Sequence, residues 1–79
     1  MIETPFNEII KEYKDSSKER RELSLQFYRG IYHELDSISQ FAENNGLTKS
    51  RLYKEICNRW EEIKTILKGF YEVDNEEAN

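Results

Sequence analysis

The sequence predicts an all-α fold: a small three-helix bundle or antiparallel helical hairpin built from 79 residues. Three observations carry that reading. Apolar residues recur at spacings of three and four, with no strand-like alternation. Only three Gly and one Pro interrupt them. Turn signals fall in two short clusters, Asp15-Ser16-Ser17 and Asn44-Asn45-Gly46, and short connections make neighbouring helices antiparallel.

The first helix, about residues 5–14, is announced by Thr4 as a cap and Pro5 at the first helical position, where no intrahelical donor is needed. Ile2, Phe6, Ile9, Ile10 and Tyr13 then share one face. Asp15-Ser16-Ser17 stops the helix, because these side chains prefer caps to helix interiors. Ser16 followed by Glu19 reads as a capping box that opens a second helix over 17–44. Its apolar residues are Leu23, Phe27, Tyr28, Ile31, Leu35, Ile38, Phe41 and Ala42. Gly30 weakens the middle of this stretch, and Asp36-Ser37 with Gln40 offers another capping box, so the same residues give either one long helix or two short ones. Asn44-Asn45-Gly46 terminates it, with glycine taking the left-handed conformation and Leu47 placed for the accompanying apolar contact. Thr48 is the candidate cap of the last helix, about 49–70. There Leu52, Tyr53, Ile56, Trp60, Ile63, Leu67 and Phe70 hold a helical period over five turns. Gly69 is expected to fray its end. Residues 1–71 thus form the single helical domain, and 72–79 form a disordered acidic tail.

Composition narrows the function. Charged residues make up 35% and apolar ones 37%, and no apolar run approaches the roughly 20 residues a membrane-spanning helix needs. With no secretory leader and Cys57 as the lone cysteine, the chain reads as soluble, cytoplasmic and free of disulfides. The net charge of −4 is uneven: residues 1–71 hold twelve Lys/Arg and twelve Asp/Glu, so the excess lies in Glu72, Asp74, Glu76 and Glu77. Between Lys49 and Lys68, six basic residues face three acidic ones.

Catalytic chemistry finds no support. His33 is the only histidine, so no histidine pair can hold a metal or share acid–base work. Cys57 lies beside the apolar stripe and reads as a buried, inert thiol. Glu61 and Glu62 are adjacent on a helix and do not face each other. A chain this short buries only about 60% of its unfolded surface, too thin a core for an enclosed substrate pocket. No catalytic residue, cofactor or metal is expected.

The aromatic load points to binding instead. Four Phe, five Tyr and one Trp exceed what so small a core requires. Phe6, Phe27, Phe41, Trp60 and Phe70 lie on the stripes and are assigned to the core. Tyr28, Tyr32, Tyr53 and Tyr71 sit at stripe edges and are the candidate partner-binding residues, since tyrosine anchors protein interfaces.

The sharpest motif is the run from Phe41 to Tyr53. It places Ala42 where two helices approach, Gly46 four positions later at the turn, and Leu47 and Leu52 to pin the next helix. The run resembles the helix-turn-helix of tetracycline-repressor-type regulators, over thirteen residues only. That resemblance implies that Thr48, Lys49, Ser50, Arg51 and Lys54 face DNA. The alternative is that Ala42 and Gly46 simply let two antiparallel helices turn tightly.

The first functional expectation is a small non-enzymatic regulator acting by protein–protein contact, an inhibitor or adaptor of a larger cellular machine. Its composition is of the kind met in phage or mobile-element genes of low-GC bacteria. The second is a helix-turn-helix DNA-binding regulator, the only reading in which nucleic acid is a partner. Homodimerisation is compatible with both, and no membrane insertion is expected.

Overall fold

The computed structural model describes residues 6–78, which form three helices and no strand: α1 (Asn7–Lys14), α2 (Lys18–Asn44) and α3 (Arg51–Ala78). The all-α three-helix architecture agrees with the apolar spacing. The expected Thr4 cap, Pro5 and the apolar Ile2 lie outside the described residues; Phe6 stands at the cap position of α1 without a side-chain cap bond.

The N-caps of α2 and α3 sit one or two residues from where the sequence placed them, whereas the Gly46 terminator stands where it was expected. Ser17, not Ser16, caps α2: its backbone is extended and its hydroxyl accepts the Arg20 N–H at 3.2 Å. Ser16 instead donates to the Glu12 carbonyl, closing the end of α1. At the other end of α2, Gly46 has φ +71°, Leu47 N–H reaches the Ala42 carbonyl at 2.8 Å, and Gly46 N–H reaches Glu43 at 3.5 Å. This is a Schellman ending. The next cap is Ser50 rather than Thr48, since the Leu52 N–H donates to the Ser50 hydroxyl.

α2 is one unbroken helix of 27 residues. Asp36 and Ser37 do not cap a second segment; the Asp36 carboxylate accepts from Gln40 Nε2 one turn on, an ordinary surface pair. Gly30 sits exposed in its middle, and a Cβ there would meet nothing within 4 Å. Gly30→Ala is therefore expected to stabilise the fold by about 0.5–1 kcal/mol, seen as a rise of a few degrees in Tm by thermal circular dichroism.

α2 and α3 pair antiparallel along their whole length. Glu43 meets Tyr53 next to the turn, Tyr32 stacks on Trp60 midway, Tyr28 meets Phe70, and Arg21 meets Glu77 at the far end. α1 runs parallel to α3, with Ile10 against Gly69 and Tyr13 against Phe70 and Asp74. A Cβ on Gly69 would lie 2.9 Å from Ile10 Cγ1, so the glycine expected to fray α3 lets α1 approach it closely. An eight-residue helix spans about 12 Å and α2 about 40 Å, so α1 covers one end of the hairpin only. The long shape follows: the extents are 45 × 29 × 18 Å, and the radius of gyration is 14.8 Å against about 11–12 Å for a compact chain of this length.

The core sits at the covered end. Tyr13, Ile66, Leu67, Phe70 and Val73 are buried there, with Phe6, Ile9, Ile10, Leu25, Tyr28, Tyr32 and Ile63 packed around them. Tyr13 lies flat on Phe70, 4.0 Å between centroids at 10°, and Tyr28 meets the same ring edge-on at 5.3 Å.

The acidic tail is the main correction to the sequence reading. α3 continues to Ala78, because Val73 extends the stripe of Ile66 and Phe70 into the core and two tail carboxylates find partners. Asp74 accepts the Tyr13 hydroxyl at 2.6 Å. Glu77 takes the forked guanidinium of Arg21, whose Nη2 bonds Glu77 Oε1 at 2.9 Å and whose Nε bonds the Tyr13 carbonyl at 3.0 Å. Burial, then the bond to Asp74, pushes the Tyr13 hydroxyl well above the usual tyrosine range.

The bond from Arg21 holds the Glu77 carboxyl below its ordinary value of 4.5. A carboxyl whose pKa folding lowers contributes stability above its unfolded value and loses it as pH falls through the folded one. The urea midpoint of the wild type is thus expected to drop as pH is taken below about 4.5, and Glu77→Gln to flatten that part of the drop.

Candidate functional site

α2 carries more apolar surface than its neighbours cover. At 3.6 residues per turn, Tyr28, Tyr32 and Ser39 point to α3, while Leu23, Phe27, Ile38 and Phe41 fall within an arc centred about 130° away. The second group is exposed: Leu23 60%, Phe27 62%, Ile38 47% and Phe41 64%. Phe27 and Phe41 are therefore not core residues, contrary to the assignment from the stripes. A stripe that spans half the helix circumference cannot all face two neighbours, one of which is two turns long. Only Phe70 among the phenylalanines is fully buried. Leu47 and Leu52 add exposed apolar surface at the turn. The exposed residues form a ridge along α2 that ends at the hairpin tip.

On the side of the hairpin away from α1, two grooves lie between α2 and α3, divided by the Tyr32–Trp60 stack. These rings are 5.2 Å apart at 27°, and Lys64 Nζ stands 5.1 Å from the indole centroid. The groove towards the α1 end encloses about 570 Å³ over a floor of Tyr32, Leu67 and Tyr71, with Arg29, Lys64 and Lys68 against the single carboxylate of Glu72. The groove towards the turn encloses about 260 Å³, lined by Asp36, Glu43 and Glu61 with no Lys or Arg. Trp60 and Cys57 also line it. The Trp60 indole N–H is buried without an acceptor, the single such side-chain atom among the described residues; an unmet buried donor costs about 1–3 kcal/mol.

The four candidate tyrosines separate. Tyr32 and Tyr71 come together in the larger groove. Tyr28 is half-buried and packs on Phe70, so it belongs to the core margin. Tyr53 is half-buried near the turn and donates to Glu43 at 2.9 Å; hydrogen bonding to Cys57 and to Glu43 raises its hydroxyl above the usual range. The ridge residues were missed because periodicity shows that a position is apolar, not which neighbour will cover it.

Thr48, Lys49, Ser50, Arg51 and Lys54 are all exposed around the hairpin tip, with Ser50 engaged as the cap. Among the described residues, no ion pair within 4.0 Å engages Lys49, Arg51 or Lys54. His33 is exposed and lies edge-on to Tyr32, and Cys57 is half-buried rather than buried. Glu62 turns to Arg59 at 3.0 Å and forms no pair with Glu61. No three His, Cys, Asp or Glu side chains among the described residues are grouped to hold a metal. No helix of the described residues is long and apolar enough to cross a membrane. Comparisons of the chain with protein-family models, with curated proteins and with solved structures gave no match.

Proposed function

We propose that this chain is a non-enzymatic contact module, acting in the cytoplasm, that inhibits or adapts a larger cellular machine by binding one of its proteins. The exposed apolar ridge of α2 carries the reading. Four large apolar side chains aligned on one helix, each about half exposed or more, are the form in which a helix enters a partner's groove. The groove lined by half-buried Tyr32 and exposed Tyr71 supports the same reading from another face, since aromatic side chains anchor interfaces at low entropic cost.

The test is capture from a lysate of the source organism with the wild type and with Phe27→Ser plus Phe41→Ser side by side. The expected result is one protein retained by the wild type in near-stoichiometric amount. The double variant should bind it at least a hundredfold more weakly, because aromatic anchors are worth about 2 kcal/mol or more each. Equal retention by both proteins would sink the reading.

A second reading, contact with DNA through the turn, is favoured by the three cations clustered at the tip without ion pairs. It ranks second because α2 and α3 run side by side from a six-residue turn, whereas a helix-turn-helix crosses its helices at about 90–120°. Binding to a short duplex at low salt, abolished by Lys49→Ala plus Arg51→Ala, would bring it to first place; no binding at low salt would remove it.

A further inference from the structure

We propose that the grooved face between α2 and α3 docks a second copy of this chain, antiparallel, in a two-fold dimer. The distribution of charge along that face argues for it. Tyr32 and Trp60 mark its middle. On the α1 side of the middle stand Arg29, Lys64 and Lys68, and on the turn side stand Asp36 and Glu43, with Glu61 level with Trp60. At 1.5 Å per residue, Arg29 lies about 4.5 Å to one side of Tyr32 and Asp36 about 6 Å to the other.

A two-fold axis lying in this face, perpendicular to the helices at the Tyr32–Trp60 level, reverses the direction of the second copy. It sets α2 over α2 and α3 over α3. Arg29 of each copy then faces Asp36 of the other. Two-fold closure makes every such contact twice, so one charge gradient suffices to make the face self-complementary. A parallel arrangement would lay cations on cations and is disfavoured by the same residues. Tyr32 and Trp60 provide an aromatic centre at the axis, and Leu67 and Tyr71 extend apolar surface along α3. This inference does not depend on the apolar ridge, which leaves α2 on another side.

Arg29 and Asp36 are two turns apart on α2, too far to face each other within one chain, so charge reversal at either breaks no ion pair among the described residues, and Asp36→Arg gives up only the exposed hydrogen bond from Gln40. The experiment is sedimentation velocity at low salt on the full chain, on Arg29→Glu, on Asp36→Arg, and on their equimolar mixture, with helicity checked by circular dichroism. The wild type should sediment as a dimer that salt dissociates. Each variant alone should be monomeric, with a dissociation constant raised at least tenfold, because both contacts become like-charged. The mixture should regain the dimer, since the reversed charge at position 29 of one chain then meets Asp36→Arg of the other correctly, and the remaining contact is native. A wild type that stays monomeric at low salt and high concentration overturns the proposal. So does a dimer that either reversal leaves intact, or one that Phe27→Ser plus Phe41→Ser abolishes instead. Capture of a heterologous partner reads out the ridge separately, so failure of one proposal leaves the other standing.

Discussion

Phe70→Ala is expected to leave the protein largely unfolded at room temperature. Phe70 is 1% exposed, the most buried side chain among the described residues, and all three helices share its ring: Tyr13 of α1 lies flat on it and Tyr28 of α2 meets its edge. Truncating a buried phenylalanine costs about 3–5 kcal/mol, from lost transfer energy and the cavity left behind. A single core in a chain below about 80 residues seldom supplies more than about 3–5 kcal/mol in total. The loss therefore matches the whole margin. Far-ultraviolet circular dichroism and a urea titration check it; a cooperative transition with a midpoint near that of the wild type would show that the core lies elsewhere.

Ending the chain after Tyr71 is expected to release α1 from the hairpin. Such a truncation removes the buried Val73, leaves the Tyr13 hydroxyl without its Asp74 acceptor, and strips Arg21 of both carboxylates. Burial of valine contributes about 1.5 kcal/mol or more, and a hydrogen bond to a charged group about 1.5–3 kcal/mol, so the loss is roughly 3 kcal/mol before the Arg21 contacts are considered. Hydrogen exchange is the readout: amides of residues 9–14 should lose most of their protection, while those of α2 and α3 facing each other at Tyr32 and Trp60 keep more of theirs. A truncated chain with the stability and protection pattern of the wild type would mean that residues 72–78 are the dispensable tail their composition suggested.

That contrast shows where the sequence was legible. The three helices, the end of α1 at Lys14 and the left-handed Gly46 all follow from periodicity and local turn chemistry, which depend on residues within a few positions of one another. The tail did not, because its order comes from Arg21 and Tyr13, which lie 56 and 61 residues away from Glu77 and Asp74. Its one local clue was Val73, three residues beyond Phe70 on the same stripe. Serine caps slipped by one or two positions because Ser16 and Ser17, or Thr48 and Ser50, offer near-equivalent oxygens and tertiary packing chooses between them. The largest error concerned Phe27 and Phe41. Periodicity assigns an apolar residue to a helix face, but α1 is too short to cover the face they occupy, and that length is set by Asp15 rather than by anything in α2.

The same two residues lie on the ridge through which we propose the contact is made, so its exposure is the point on which the functional reading depends. The measurement is thermal denaturation, at low concentration, of the purified Phe27→Ser, Phe41→Ser double variant beside the wild type. If the ridge is no part of the core, each change is a surface substitution worth within about 0.5 kcal/mol, and Tm should shift by no more than about 8 °C for the pair. Loss of the cooperative transition would show that both rings belong to the core, and the ridge would no longer be a surface offered to another protein.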